Sequence, residues 1–482
     1  MTAAGRMASP QEIVERALAA SRSDGCVVLV EERSQSEVRF ANNTTTTNGT
    51  RRDRRVAVVS VRARARASLG ERAGAPGGPE AAVGVASASG EVDVEELVRA
   101  SEADAAGADP ADDAAPLLGP GESVPLAGER FDDPAHEGGA GVLGPAVSAL
   151  AEAFARARSS GTLLSGFATH GVDTTYLGTS TGIQRRHAQP AGSLELVARD
   201  GAGSRSAWAG VGTADFDDVD VAALHERLER RLAWASRRVE LPAGRYEVIL
   251  PPDATADLVV PLSEAMSGRD AEEGRSAFAR PGGGTRVGER LFPLPLELRG
   301  DPAEPGLECA PFLATGASGS DVSVFDNGLA VAATHPVEEG VLRRLRYHRA
   351  GAGRAGVEPT PPVGNLVLEL PGATGTLDDL VARTGRGLLL TCLWYIREVD
   401  PVTLLLTGLT RDGVYLVEGG EVVGAVNNFR FNESPLGVLA RTVEAGRCER
   451  ALSREWGEWV PRTAMPALRV GDFNMSSVSP AT

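Results

Sequence analysis

Lysine is absent from this 482-residue sequence: the basic side chains other than histidine are all arginine, 49 of them. That excludes a phosphate-loop lysine, a Schiff-base lysine and a Ser–Lys dyad. Histidine is scarce, with six copies. Four cysteines, Cys26, Cys309, Cys392 and Cys448, are scattered with no CxxC pair, which suits a reducing compartment. Aromatics make up only 5% of the chain, so packing must rest on Ala, Val and Leu. The longest apolar run, GLLLTCLWYI (Gly387–Ile396), is far too short to span a bilayer. No signal peptide is visible at the start, and the cytoplasm is the expected location. The N-x-S/T sequons at Asn42, Asn43, Asn48, Asn432 and Asn474 therefore carry no glycosylation signal.

What is present reads as an ordinary globular protein, with 42% hydrophobic and 24% charged residues. The length predicts two to three domains. A net charge of −16 disfavours a nucleic-acid partner and an anionic membrane, because both attract excess Lys and Arg. The run VRARARAS (Val61–Ser68) alternates at strand period, so its arginines share one face of a solvated sheet.

The fold class expected is α+β, with an N-terminal mixed sheet-and-helix domain over residues 1–240 and a strand-rich C-terminal domain over 241–482. Ser9-Pro10-Gln11-Glu12 is a capping box opening a helix to Ser21. Strands Cys26–Glu32 and Glu37–Ala41 follow, then a polar turn ANNTTTTNGT, a long strand Arg54–Ser68 and a helix near Val94–Ala106. Residues 106–125, rich in Ala, Asp, Pro and Gly, read as a mobile low-complexity linker. A helix near Pro145–Arg158, short strands between Leu163 and Arg199, and a helix Val219–Ser236 complete this half. In the second half, Tyr246–Leu250 is a strand, and Gly419-Gly420 supplies the turn of a hairpin within YLVEGGEVVGAV.

Chemistry-bearing motifs are weak. Two GxGxxG matches, at Gly139–Gly144 and Gly351–Gly356, lack the strand–loop–helix context of a dinucleotide site and read as turns. GTSTG (Gly178–Gly182) matches a nucleophile elbow, with His170, Asp173 and His187 nearby. An elbow needs a helix after the serine, whereas IQRRHAQP reads as a strand; a Ser180/His187 hydrolase stays as an alternative. His136-Glu137 has no second histidine, and His225-Glu226 reads as a solvated helix face. His335 and His348 are isolated, and no three metal ligands assemble. Cys392 lies in an apolar strand, and a cysteine-type hydrolase built on it is a further alternative.

The ordered set RFANN, YEVILPP, SEAMSGRDAEEGRSAF, DGVYLVEGGEVVGAV, NNFRFNESP and RTAMPALRVGDFNMSS resembles the TldD/PmbA family of peptidases over nearly the whole chain. The resemblance implies two branches that pair as a heterodimer. In the TldD branch, a helix after the YxVxL strand carries HEAxGH, whose histidines hold zinc together with a later cysteine. The PmbA or TldE branch lacks that metal site. On this motif Glu264 and Ala265 are kept, while Ser263 and Gly268 stand where the histidines would be. Near Val460-Pro461, where the third ligand is expected, LSREWGEW holds no cysteine, and the context of Cys448 does not match.

The resemblance therefore implies a TldE/PmbA-like non-catalytic subunit, with a degenerate HExxxH helix at Ser263, Glu264 and Gly268. It implies no metal or cofactor in this chain and zinc in a TldD-like catalytic partner. The pair would act on small or unfolded peptides, including natural-product precursors. A regulatory binding module is the remaining alternative.

Overall fold

The computed structural model describes residues 7–64, 80–122, 130–136 and 138–479. Its first half is an antiparallel six-stranded sheet. In chain order the strands are β1 (Gly25–Ala41), β2 (Thr44–Ala63), β3 (Ala81–Ser89), β4 (Thr162–Thr179), β5 (Gln184–Asp200) and β6 (Ser206–Thr213), and in space they run β3-β2-β1-β4-β5-β6. Helices Pro10–Ala20, Val94–Gly107, Gly144–Ser160 and Val221–Trp234 accompany it. The expected capping box is present: Ser9 Oγ accepts from Glu12 N, and Glu12 Oε2 accepts from Ser9 N at 2.7 Å.

The strands are longer than the sequence suggested. The turn expected over ANNTTTTNGT is only Asn42-Asn43, whose φ angles of 52° and 61° suit a two-residue hairpin. The four threonines after it are β-branched and extend the strand instead. Similarly, β5 runs straight through Pro190, because β6 pairs only from Gly192 onward and leaves Pro190 facing no donor-demanding neighbour on that side. Of the VRARARAS run, Arg62 is exposed as expected, while residues 65–68 lie outside the described part.

The segment expected as a mobile linker is packed, where described. Leu118 is buried, and Ala111, Ala114, Ala115 and Leu117 join it against Val27, Leu29 and Val59 of the sheet and Phe312, Val324 and Phe325 of the second half. Its apolar residues are few but fall where both halves meet. Residues 123–125 of that segment lie outside the described part.

The second half is a mixed sheet of 14 strands. Its hub is the 16-residue strand Thr463–Val478, which pairs with Leu366–Glu369, Gly244–Leu250, Phe429–Glu433 and Thr442–Ala451. The hairpin Val414–Glu418 to Glu421–Val426 turns at Gly419-Gly420 with φ of 61° and 85°, as expected. The molecule is thus α+β, with a strand-rich C-terminal part. Among the described residues no helix is long and apolar enough to cross a membrane.

Candidate functional site

The helix that follows strand Gly244–Leu250 spans Pro252–Glu264, PDATADLVVPLSE. It is apolar nearly all round, and such a helix belongs in a core; Ala254, Ala256, Leu258, Val259, Val260 and Leu262 are all buried. Its two early acids, Asp253 and Asp257, stand one turn apart; Asp257 is buried and Asp253 half-buried. Asp253 Oδ1 accepts from Leu452 N at 2.9 Å. Asp257 Oδ1 accepts from Ser453 Oγ and Glu455 N, both at 3.0 Å.

Pro261 explains a further contact. A proline inside a helix lacks the N–H that would bond the carbonyl four residues earlier, here that of Asp257. The indole Nε1–H of Trp456 takes the vacant role, donating to Asp257 O at 2.9 Å. The stretch Leu452–Trp456 is therefore clamped to this helix at four points. Burial pushes the Asp257 carboxyl up to about 8 against the pull of its hydrogen bonds, and raises Asp253 in the same direction.

The single helix expected across SEAMSGRDAEEGRSAF is broken. It stops at Glu264, and Ser267 caps a separate short helix, Gly268–Glu272, by accepting from Asp270 N. The break has a cause elsewhere in the chain. Arg346 N donates to Met266 O and Gly268 N donates to Arg346 O, both at 2.8 Å, so this backbone is bridged to a distant segment.

Each motif position has its own environment. Ser263 is part-buried in the last turn of the first helix. Glu264 is 51% exposed; its carboxylate lies 3.5 Å from Arg346 Nη1, while Arg346 Nη2 donates to its main-chain oxygen at 2.7 Å. Arg346 also pairs with Asp321 at 2.5 Å. Gly268 lies under the Tyr347 ring, and a Cβ added there would sit 2.0 Å from the ring's Cζ. The Tyr347 hydroxyl in turn donates to Glu272 Oε1 at 2.7 Å.

These residues do not fit a zinc ion. Ser263 and Gly268 offer no imidazole, the glycine leaves no room for any side chain, and a guanidinium already faces the Glu264 carboxylate. Among the described residues no group of three His, Cys, Asp or Glu is arranged to hold a metal. Cys448 lies on the strand Thr442–Ala451 opposite Pro466, with its thiol pushed up to about 12 by burial.

The remaining candidates are dispersed. Ser180 sits in the β4–β5 hairpin turn, as expected, with its Oγ accepting from Cys26 N at 2.9 Å. His187 pairs with Thr175, three register steps from the Gly178–Gln184 pair and about 10 Å along the strand. Its Nε2 meets Gln189 Oε1 at 3.2 Å, so no Ser180/His187 dyad forms. His170 Nε2 meets Ala214 O at 2.8 Å.

His225 corrects its expectation. It is buried rather than solvated, because it falls on the Val221–Leu224–Leu228 stripe, while Glu226 is exposed. His348 caps the short helix Arg349–Ala355 through Nδ1, so Gly351 and Gly353 lie in a helix rather than a turn, and Gly356 closes it at φ 68°. In the other GxGxxG match, Gly144 opens a helix that no strand precedes. Glu137 lies outside the described residues.

Cys392 is buried at 2% exposure beneath Arg454, whose Nη1 approaches its sulfur to 2.6 Å. Burial outweighs that guanidinium and pushes the thiol up to about 12, which removes the nucleophilic thiolate at neutral pH. Iodoacetamide should therefore modify Cys392 only after unfolding. Mass-spectrometric mapping of native and denatured samples checks this, and rapid native labelling would contradict it.

Residues 243–477 match the family model described as the PmbA/TldA metallopeptidase C-terminal domain. The C-terminal half is a domain of the PmbA/TldA metallopeptidase type. TldD/PmbA-type architecture extends over the whole molecule. TldE from Thermococcus kodakarensis has a TM-score of 0.74 and 17% identity, covering 97% of this chain and 99% of that one. A Thermotoga maritima protein, described as a candidate modulator of a DNA gyrase, has a TM-score of 0.71 and 16% identity, covering 96% and 99%. A Bacteroides thetaiotaomicron protein with the same description has a TM-score of 0.70 and 16% identity, covering 97% and 98%. At these identities the likeness is one of fold. No curated protein matches the sequence.

The sequence reading found the helix but missed its structural anchors. Asp253 and Asp257 were legible as two acids one turn apart on an otherwise apolar helix, and Pro261 as the cause of an orphan carbonyl. Arg346 and Tyr347 left no local signal.

Proposed function

We propose that this chain is a TldE/PmbA-like non-catalytic subunit of the TldD/PmbA family, paired with a TldD-like subunit that holds the zinc. The complex would cleave small or unfolded peptides. The observation that carries this reading is the Gly268–Tyr347 contact, which fills the space a second histidine would need. Glu264 supports it: a general base needs a metal-bound water to deprotonate, and here the carboxylate faces Arg346 instead.

The role left to this chain is structural and substrate-positioning. Its buried Asp257 clamp fixes the Leu452–Trp456 stretch, which carries Trp459 outward at 70% exposure, stacked 5.2 Å from Trp456. The test is co-expression with the TldD-like protein of the same organism bearing an intact HExxxH helix. The two chains should co-purify in equal amounts, and peptide cleavage should require that partner. Peptide cleavage by this chain alone, retained in the presence of a zinc chelator, would contradict the reading.

A further inference from the structure

Arg462 is a buried cation with no counter-charge beside it. It immediately precedes the hub strand Thr463–Val478, and its main-chain oxygen accepts from Leu366 N at 3.0 Å, which fixes the root of the side chain. The residue is only 9% exposed. Its Nη2 donates to Pro190 O on β5, across the junction between the two halves. A guanidinium carries five N–H donors, and among the described residues Pro190 O is its one hydrogen-bond partner.

The acids that act on Arg462 from a distance do not pair with it. Glu308 is exposed, and Asp173 faces Arg33 at 3.5 Å. Burial pulls the Arg462 guanidinium below the ordinary arginine value, and Cys309, Glu308 and Asp173 do not offset that pull. Buried charges are ordinarily paired, because their lost hydration must be replaced. Arg462 breaks that rule at the wall of a cavity.

The cavity holds about 20 Å³ between the two halves. Ala191, next to Pro190, and Thr213 line it from β5 and β6, while Leu307, Arg450 and Pro461 line it from the second half. That volume takes about one or two water-sized groups, which suits a carboxylate and excludes a nucleotide. No lining residue is acidic, in a chain of net −16. Arg450 brings a second guanidinium, but Asp218 already pairs with it, so the free charge is that of Arg462.

A planar guanidinium with donors to spare is matched to a carboxylate. The other walls are mostly Ala, Gly, Thr and Pro, with nothing to read a particular side chain. The group recognised is therefore one that every peptide carries. We infer that the Arg462 cavity binds the C-terminal carboxylate of a peptide. The choice of a peptide rests on the reading above and names the part of the substrate this chain would hold.

The test is isothermal titration calorimetry on the isolated full-length chain, with Ala-Ala-Ala as the free acid, its C-terminal amide and inorganic phosphate as probes. The free acid should bind, and the amide should bind at least about ten-fold more weakly. Arg462→Met should lose a similar factor for the free acid while leaving the amide unchanged, with its melting temperature reporting that it folds. The acid–amide comparison on wild type decides even where that variant does not fold.

No binding of the free acid, equal binding of acid and amide, or full affinity in folded Arg462→Met would overturn the inference. Phosphate binding as tightly as the free acid, and lost in the same variant, would make this a general anion site and overturn the peptide assignment. Pairing is measured separately: a wild-type chain that brings down no TldD-like partner refutes the heterodimer reading, whatever the calorimetry gives.

Discussion

Replacing Asp257 with alanine is expected to destabilise the protein by about 3 kcal/mol, since it strands two donors, Ser453 Oγ–H and Glu455 N–H, in a dry site. Asp257→Asn should cost far less, because an amide oxygen can accept both bonds. The two substitutions also separate in their pH dependence. The folded-state pKa of Asp257, about 8, lies above its ordinary value of 3.8, so the folded protein holds the proton more tightly than the unfolded chain.

The stabilising contribution of that proton is complete below the ordinary value and is lost as pH rises toward 8. The groups facing the carboxyl, Asp253 and Glu455, are acids and reinforce the direction. Wild type should thus lose stability relative to Asp257→Asn between about pH 4 and pH 8, measured by urea denaturation at several pH values. Parallel curves for the two proteins would sink the buried-proton account.

Gly268→Ala carries the second large effect. Its new methyl would meet the Tyr347 ring at 2.0–2.3 Å, and the ring is held by its bond to Glu272. Overpacking of this kind is expected to cost about 3 kcal/mol. The cause is testable by a double-mutant cycle. Tyr347→Ala is itself destabilising through the cavity it opens, but Gly268→Ala should be nearly silent in that background. A cost that persists without the ring would show that backbone conformation, rather than the ring, excludes side chains here.

Local signals were legible in the sequence and remote ones were not. The Ser9–Glu12 capping box, the Gly419-Gly420 hairpin and the strand context of GTSTG depend on neighbours within a few residues, and each stands as read. The helix over SEAMSGRDAEEGRSAF failed because its hydrogen bonds at Met266 and Gly268 go to Arg346, a pairing no periodicity reveals. The described part of the 106–125 segment, up to residue 122, departs from a mobile linker because composition reports average polarity, whereas Leu118, with Leu117 packed beside it, finds a buried seat between the two halves of the molecule. His225 was misread because three arginines nearby masked an apolar stripe.

For the site itself, the types of residue at 263, 264 and 268 were enough to raise the question of a lost metal. Their surroundings supply what the sequence could not: a ring packed on Gly268 and a guanidinium at Glu264.

The most direct measurement is the metal content of the isolated full-length chain, purified without chelator and then dialysed against zinc, by inductively coupled plasma mass spectrometry. The account predicts well under one zinc per chain, unchanged in Glu264→Gln. One tightly held zinc per chain, lost in Glu264→Gln, would contradict it.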